Sequence, residues 1–261
     1  MTASSAAPLD IAAIAAALGG LACRFDVDVL AECASTNAEL MRRAEAGAPS
    51  GTVLAAERQT AGRGRMGRAW FAAPGASLTF SLLWRFPPGT QPHGLSLAVG
   101  VALAEALADM GMGDVTLKWP NDLLRAGRKL AGVLIEMLPG TTHVAVIGVG
   151  INMRLPDGMP DEVRAVAAAL ETDVSRNELL ARLLSSLQDV LTEFAGGGFV
   201  ALRARWLARC GHIDTAVRIL SEFAPPLDGY CIGVDVDGAL LVETAVCVQR
   251  IISGEVSLRL A

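Results

Sequence analysis

Up to about residue 210, apolar positions along the chain follow either the period of a helix or that of a strand. The pattern predicts helices at 9–18, 39–46, 95–110, 161–170, 176–195 and 199–208. It predicts strands at 25–31, 52–57, 78–86, 115–119, 132–137 and 143–153. Ser35, Thr36 and Asn37 offer capping groups ahead of the second helix. This order of elements predicts a mixed α/β domain.

The pattern changes after about Gly211. Five short apolar runs follow, separated by turn signals such as Pro225-Pro226 and Asp237-Gly238: VRIL, YCIGVD, ALLVET, VCVQRI and VSLRL. Short strands at this spacing are typical of a small barrel. We therefore predict two domains, residues 1–210 and a small all-β domain at residues 211–261.

Composition agrees with a packed globular protein. Hydrophobic residues make up 52% of the 261 residues and charged residues 19%, which argues against global disorder. No apolar run is long enough to cross a bilayer, and the start of the chain lacks the basic and apolar stretches of a signal peptide. We expect a soluble cytoplasmic protein.

Disulfide and metal chemistry is not indicated. The five cysteines are scattered, odd in number and never in a C-x-x-C pair. The three histidines lie far apart in the chain. These patterns argue against a disulfide framework, a zinc site and a histidine-based metal site.

The charge distribution points to a local cationic site in an acidic protein. A net charge of −5 disfavours a general nucleic-acid binder. Only two of the 22 basic residues are lysines, Lys118 and Lys129. A compact ammonium group fits sites that a planar guanidinium does not, so both are candidates for positions that need a point charge; the alternative is that they lie close together by chance. The carboxylates of 161–173 are expected on a solvated face.

Residues 59–70, QTAGRGRMGRAW, contain a formal G-x-G-x-x-G pattern from Gly62 to Gly67. A dinucleotide-binding loop must open directly into a helix, and an acidic residue must follow about twenty positions on. Pro74-Gly75 interrupts the sequence after this loop, no such acidic residue follows, and the Gly-Lys-Ser/Thr of a P-loop is absent. We interpret the loop as a mobile lid whose glycine amides and arginines hold a phosphate or carboxylate; a solvated loop without a function is the alternative.

Three further motifs place polar groups at predicted strand ends. KWPND (118–122) brings together a cation, an aromatic ring, an amide and a carboxylate, and RKLAG (128–132) adds a second cation. GVGIN (148–152) ends a buried strand with small residues, where a ligand could lie against the backbone. With the loop, these motifs predict an enzyme that encloses a reactive, phosphate-bearing intermediate.

In this order, the segments STN (35–37), QTAGRGRMGRAW, KWPNDLL, RKLAGVLIE and GVGINM resemble those of the biotin protein ligases. The resemblance runs from about residue 30 to the C-terminus. It implies an α+β fold, with a mixed-sheet catalytic domain of the biotin/lipoate ligase type and a small C-terminal SH3-like β-barrel domain. It also implies that biotin and ATP, with Mg²⁺ on the phosphates, give biotinyl-5′-adenylate and pyrophosphate. The biotinyl group then passes to a lysine of a biotin carboxyl carrier domain of an acyl-CoA or pyruvate carboxylase.

The resemblance also assigns candidate residues. For biotin they are Ser35, Thr36, Asn37, Gln59, Gly62, Arg63, Gly64, Arg65, Lys129 and Gly132. For ATP they are Arg63, Arg65, Trp70, Asn121, Asp122, Lys129, Asn152 and Arg259. The candidates for catalysis are Arg63, Arg65 and Lys129, which can offset the charge of two reacting anions. No protein ligand is assigned to the expected Mg²⁺.

Two departures from the family pattern concern the loop and the N-terminus. Met66 stands where the family often has another arginine, so the loop carries slightly less charge. About thirty residues precede the first matching strand, too few for the DNA-binding domain of members that double as repressors. We therefore expect a monofunctional enzyme that does not bind DNA. The oligomeric state stays open, with a homodimer among the options.

Two other functions compete with this interpretation. The first is a lipoate or octanoyl transfer enzyme of related fold, against which the GRGR loop and KWPND argue. The second is a non-enzymatic biotin or nucleotide sensor that acts on transcription, which requires a DNA-binding segment not found in the sequence.

Overall fold

The computed structural model describes residues 7–221, 225–252 and 256–260, with the backbone alone for residue 221 and for 256–260. The α-helices of these residues are α1 (Ile11–Leu18), α2 (Thr36–Glu45), α3 (Leu95–Asp109), α4 (Asp161–Val166), α5 (Arg176–Gly197) and α6 (Arg203–Leu207). The strands are β1 (Asp26–Cys33), β2 (Thr52–Gln59), β3 (Ser77–Arg85), β4 (Val115–Lys118), β5 (Asp122–Arg125), β6 (Arg128–Met137), β7 (Val144–Asn152), β8 (Ala216–Ser221), β9 (Leu227–Val234), β10 (Leu240–Glu243), β11 (Val248–Ile251) and β12 (Val256–Leu260). Within the described part, none of the helices has the length and apolar character that crossing a membrane requires.

The first seven strands form one mixed sheet in the order β1-β2-β3-β7-β6-β5-β4. β1 and β2 are parallel, and the other neighbouring pairs are antiparallel. α1, α3 and α5 pack on one face of this sheet in the main hydrophobic core. α2 covers part of the other face, where Leu40 and Ala44 meet Leu54 and Leu83 in a smaller cluster. The central strands are therefore buried on both faces.

Capping residues set where two of the helices begin. The Ser35 hydroxyl accepts a hydrogen bond from the Ala38 amide and starts α2. The Ser175 hydroxyl accepts one from the Glu178 amide and starts α5. Each cap satisfies an amide that has no partner within its own helix. The cap of α2 also fixes the position of the polar residues that directly follow Ser35.

A buried ion pair ties the N-terminal segment to the sheet. Arg176 is 3% exposed and donates to both carboxylate oxygens of Glu57, at 2.7 and 3.0 Å, and to the Ala7 carbonyl at 3.0 Å. The Leu9 amide donates to the same carboxylate at 2.6 Å. Burial raises the pKa of Glu57, but the hydrogen bonds from Arg176 and Leu9 outweigh it and hold the pKa below its ordinary value. The end of β2, which carries Gln59, is thereby anchored.

The last five strands form a separate antiparallel sheet in the order β11-β10-β9-β8-β12. Its turn between β9 and β10 rests on the larger domain: the Trp119 indole N–H donates to the Gly238 carbonyl at 3.0 Å. Gly238 has φ +86°, and a Cβ built on it would lie 2.9 Å from the Cα of Gly94, just before α3. The small sheet therefore contacts the same strand end that carries KWPND.

The structure confirms the predicted α+β class and most of the predicted elements. The strand β5 was not predicted. It is only four residues long and begins two residues after Pro120, and its register with β6 shifts between Leu123 and Leu124. The helix predicted at 161–170 is wrong beyond Val166, because Ala167 is extended and the Ala168 and Leu170 amides donate to the carbonyls of Lys129 and Asn152. This pairing overrides the helix propensity of an alanine-rich run. The predicted domain boundary at 210/211 falls between α6 and β8.

Candidate active site

A cavity of about 260 Å³ lies beside the N-terminus of α2. Its walls come from α2, the loop after β2, the strands β3 to β7 and the segment around α4. The predicted site residues that line it are Ser35, Thr36, Asn37, Gln59, Arg63, Gly64, Arg65, Trp70, Asn121, Asp122, Lys129, Gly132 and Asn152. Residues from five separate motifs therefore meet at one place.

Two predicted residues are placed differently. Gly62 does not line the cavity, but its carbonyl accepts a hydrogen bond from the Trp70 amide at 3.0 Å and so shapes the base of the loop. Arg259 lies in β12, where its backbone is opposite Arg218. The side chain of Arg259 lies outside the described residues, so its predicted contact with ATP stays a prediction.

The arginine loop forms a narrow hairpin. The Gly64 amide donates to the Arg68 carbonyl at 2.7 Å, and Arg63 pairs with Ala69 in an antiparallel bridge. A single 3₁₀ turn, Arg65–Gly67, closes the hairpin, with Met66 in the left-handed region at φ 58°. The chain is extended again at Arg68. The sequence prediction that no helix opens after this glycine pattern is confirmed, which removes the helix N-terminus that a dinucleotide loop requires.

The loop folds the Trp70 ring onto the floor of the cavity. A Cβ built on Gly150 would lie 2.4 Å from the indole ring, and one built on Gly148 would lie 2.3 Å from the Asn37 Oδ1 atom. Any larger residue at either position would displace these side chains. Gly148, Gly150 and Asn152 of GVGIN line the cavity together with Asn37 and Trp70, so a ligand against this backbone stays a prediction. The Trp70 Nε1 atom is buried and, among the described residues, has no hydrogen-bond partner.

Positive charge dominates the cavity. Among the described residues, five cationic side chains and one carboxylate, that of Asp122, line it. The cations are Arg63, Arg65, Arg68, Lys118 and Lys129. Such a balance favours an anionic ligand. In the described part of the chain, no cluster of three or more His, Cys, Asp or Glu side chains could hold a metal ion, so a metal here would need ligands from a bound anion.

Two of these cations contact polar groups of KWPND. The Lys129 ammonium lies 2.6 Å from the Asp122 Oδ1 atom, in a contact without hydrogen-bond geometry, and 5.7 Å from the centroid of the Trp70 ring. Arg65 donates to the Asn121 Oδ1 atom at 3.4 Å. Burial lowers the pKa of Arg65, and the nearby Asp122 carboxylate opposes this shift. Because burial disfavours the charged form, an incoming anion would stabilise this guanidinium.

The wall formed by α4 and by Met159, two residues ahead of it, was not predicted from the sequence. Met159, Val163 and Val166 line the cavity, although Val166 is 55% exposed. The carboxylates at 161 and 162 are exposed, as expected. The apolar spacing at 159, 163 and 166 follows the period of a helix, and this signal could have identified the wall.

The other end of the cavity presents hydroxyl and amide groups. The Gln59 Oε1 atom accepts hydrogen bonds from the Thr36 amide at 2.8 Å and from the Thr36 hydroxyl at 3.2 Å. Ser81, which carries no motif, lies behind Thr36 at 2.7 Å and is fully buried. Leu134, which lies opposite Gly148 in the sheet, adds apolar surface to the cavity. A compact ligand with both apolar surface and hydrogen-bonding groups fits here.

Comparison with known proteins gives four consistent findings. A sequence profile of the biotin/lipoate A/B protein ligase family matches residues 31–152. The bifunctional ligase/repressor BirA of Salmonella typhimurium is 38% identical over 242 residues, which cover 90% of this chain and 75% of that protein. The biotin–[acetyl-CoA-carboxylase] ligase of Paracoccus denitrificans is 34% identical, over 87% of this chain and 98% of that enzyme. The biotin protein ligase of Aquifex aeolicus, solved in complex with biotin and ATP, superposes with a TM-score of 0.78 at 30% identity, over 90% of this chain and 99% of that chain.

Proposed function

The chain belongs to the biotin protein ligases of the biotin/lipoate A/B protein ligase family, and from this premise we propose how its cavity performs the reaction. The protein is an ATP-dependent biotin ligase. It activates biotin as biotinyl-5′-adenylate with release of pyrophosphate, and then transfers the biotinyl group to a carrier protein. We assign the mixed sheet to the catalytic domain, and the small C-terminal sheet to the SH3-like domain, that the resemblance implies.

The observation that carries the assignment of the site is the polarity of the cavity. One end offers the hydroxyl and amide groups of Thr36 and Gln59 beside apolar side chains, and the other end carries the cations. Biotin has the matching polarity, with a ureido head and a carboxylate tail. We place the head beside α2 and the carboxylate near Lys129 and the arginine loop.

The nucleotide is assigned to the end formed by KWPND and α4. Trp70 and the apolar residues Val163 and Val166 offer surfaces for a planar base. Asn121, Asp122, Asn152 and the loop arginines surround the path of the phosphates in this assignment, and Arg259 is proposed to approach them from β12. The Asn152 amide already donates to the Ala168 carbonyl at 2.9 Å, so its oxygen is the atom available to a ligand.

Activation brings two anions together. A carboxylate oxygen of biotin attacks the α-phosphorus of ATP, and the bond from that phosphorus to the bridging oxygen of pyrophosphate breaks. Arg63, Arg65 and Lys129 lower the repulsion between the two anions and stabilise charge that builds up in the transition state. In the second step the amine of a carrier lysine attacks the acyl carbon and AMP leaves. Neither step requires a nucleophile from this chain.

Lys129 is only weakly held before the substrates bind. Its ion pair with Asp122 is partly exposed, with the two side chains 38% and 20% exposed, and exposed pairs stabilise by only about 0.2–1 kcal/mol. Transfer of the ammonium to an incoming carboxylate or phosphate therefore costs little. An ammonium on a flexible stem can make this change, whereas a planar guanidinium fits it less well.

Mg²⁺ is proposed to enter with the nucleotide. When bound, it neutralises charge on the phosphates. The buried Asp122 Oδ1 atom is paired with the Lys129 ammonium at 2.6 Å. Once the ammonium moves to an incoming anion, this oxygen would be available to a water or ion carried on the phosphates. The protein contributes no full ligand set among the described residues.

The partner is proposed to be a biotin carboxyl carrier domain of an acyl-CoA or pyruvate carboxylase, modified in the cytoplasm. The net charge of −5 disfavours DNA as a partner. A lipoyl carrier is the competing substrate, since the family profile covers both biotin and lipoate enzymes.

The test incubates the purified chain with ATP, Mg²⁺ and a carrier domain, and adds either biotin or lipoate. With biotin we expect the mass of the carrier to increase by one biotinyl group, and with lipoate we expect no change. Lys129→Gln should abolish the shift, whereas Arg128→Gln, next to it but outside the cavity and exposed, should preserve it. Modification by lipoate but not biotin would overturn the assignment.

A further inference from the structure

Asn37 borders the cavity, but its polar atoms are used elsewhere. The residue is 4% exposed. Its Nδ2 group donates to the Glu136 carboxylate at 2.7 Å and to the Leu134 carbonyl at 3.4 Å. Its Oδ1 atom lies 2.5 Å from the Ser81 hydroxyl. Both ends of the amide are therefore engaged within the protein.

Glu136, at the solvent-exposed end of this chain of hydrogen bonds, fixes their direction together with the Leu134 carbonyl. A carboxylate and a carbonyl can only accept, so the Asn37 amino group must face Glu136 and its oxygen must face Ser81. Ser81 has a single proton for two neighbours, the Asn37 oxygen at 2.5 Å and the Thr36 hydroxyl at 2.7 Å. The Asn37 oxygen can only accept, whereas the Thr36 hydroxyl can also donate. The Ser81 proton therefore goes to Asn37.

The consequence reaches the cavity through Thr36. Ser81 is left as an acceptor, so the Thr36 hydroxyl proton points back toward Ser81 or toward the Gln59 Oε1 atom at 3.2 Å. The Thr36 oxygen then presents lone pairs to the cavity. The Gln59 oxygen is held by the Thr36 amide at 2.8 Å, so the amino group of Gln59 is its free end. The wall offers one acceptor and one donor in fixed places.

We propose that Glu136, Asn37 and Ser81 form a relay that sets the hydrogen-bonding polarity of the biotin pocket without touching biotin. The relay makes Thr36 an acceptor, and the Thr36 backbone amide separately holds the Gln59 oxygen so that Gln59 is a donor. Together they match a ureido group with its N–H donors and carbonyl acceptor. A dithiolane ring such as that of lipoate has neither group, so the relay also determines specificity within the family. Asn37, predicted to bind biotin, is a positioning residue in this scheme. The inference rests on the proposed function.

The experiment compares Ser81→Ala with Ser77→Ala. Both serines are buried on β3 and lie on the same face of the sheet, but the Ser77 hydroxyl accepts only one weak bond, from the Ala73 amide at 3.4 Å. Ser81→Ala leaves the Asn37 oxygen without a donor and frees the Thr36 proton to turn toward the cavity. Because the Thr36 proton would then meet an N–H donor of the ligand where the wild type presents a lone pair, we expect a rise of about tenfold or more in the KM and the calorimetric Kd for biotin. The KM for ATP should stay within about twofold of wild type, as should every constant of Ser77→Ala.

Glu136→Gln supplies a second variant that leaves the buried residues in place, since Glu136 is exposed. The introduced amide can present either a donor or an acceptor, so the orientation of Asn37 is no longer fixed from outside. We expect a rise of about threefold in the Kd for biotin. This effect is smaller than that of Ser81→Ala, because the Leu134 carbonyl still favours the native orientation of Asn37. If Ser81→Ala does not fold, this variant decides.

The outcomes separate the relay from general damage to the cavity. A selective rise in the biotin constants, with those for ATP unchanged, supports the relay. Unchanged biotin binding in both variants overturns it, and so does an equal loss for biotin and ATP. Failure of the wild-type chain to bind biotin at all would instead defeat the proposed function, so the two failures are distinguishable.

Discussion

The contact between Gly238 and the start of α3 allows a quantitative test of how the small sheet supports the cavity. Gly238→Ala introduces two faults. The residue has φ +86°, where a side chain costs about 1–2 kcal/mol. Its new Cβ would also lie 2.9 Å from the Cα of Gly94 and 3.0 Å from the Leu97 Cδ1 atom. A backbone atom cannot move aside as a flexible side chain can, and overpacking of this kind costs about 1–3 kcal/mol.

Gly140→Ala is the matched control. Gly140 has φ +79°, but no atom lies within 4 Å of a Cβ built on it, so this variant carries the backbone strain alone. We therefore expect Gly140→Ala to cost about 1–2 kcal/mol and Gly238→Ala about 2–5 kcal/mol. For a protein of this size these costs correspond to falls in the melting temperature of about 2–8 °C and 4–20 °C.

Circular dichroism melts of the two variants measure the stability difference, and steady-state kinetics measures the effect on the site. Gly238 accepts the hydrogen bond from Trp119, so its displacement should raise the KM for ATP by about three- to tenfold. Trp119→Phe keeps a large ring, removes the donor and should reproduce this rise without the strain at residue 238. Equal melting temperatures for the two alanine variants would refute the argument, because the close approach to Gly94 would then carry no cost.

Three further outcomes follow from the structure. Lys129→Arg should lower the rate of ATP–pyrophosphate exchange by roughly tenfold or more despite its conserved charge; full activity would defeat the case for a required ammonium. Arg63→Ala and Arg65→Ala should release biotinyl-adenylate faster than the wild type. Faster release would be seen as loss of labelled adenylate on gel filtration and as labelling of bystander lysines. Unchanged retention in both variants would show that the loop does not hold the intermediate. Burial, aided by the charge of Lys118, lowers the pKa of His212 below its ordinary 6.5. The stability gained by keeping His212 neutral is therefore present above pH 6.5 and is lost as the pH falls through the lower pKa of the folded state. His212→Gln should flatten the decline in melting temperature on acidification. An unchanged slope of melting temperature against pH would contradict this.

Local chemistry explains which elements the sequence could predict. The cap at Ser35 and the turn glycines act within a few residues, so the starts and ends of helices were visible in the sequence. The extended run after α4 depends on pairing with residues 129 and 152, and β5 depends on its partners in the sheet. Such tertiary pairing has no local signature.

The residues in and around the site also divide into those that the sequence could predict and those that it could not. Motif residues were found because their types and order are distinctive, and the structure brings them to one cavity. Arg176 and Glu57 lie 119 positions apart, and no spacing rule connects them. Ser81 did leave a signal: it is a polar residue within an apolar strand, on the same face as Thr79. A buried hydroxyl needs a partner, and that requirement could have marked it for attention.

The floor of the cavity limits how the protein can be redesigned for larger ligands. Gly148 and Gly150 are in contact with Asn37 and Trp70 so closely that any added side chain collides with them. Libraries that diversify these two positions should therefore yield mostly inactive clones. The wall around α4 is a better place to diversify, because Val163 and Val166 face the cavity yet are partly exposed. New ligand specificities should arise there and in the loop, while the strand floor stays unchanged.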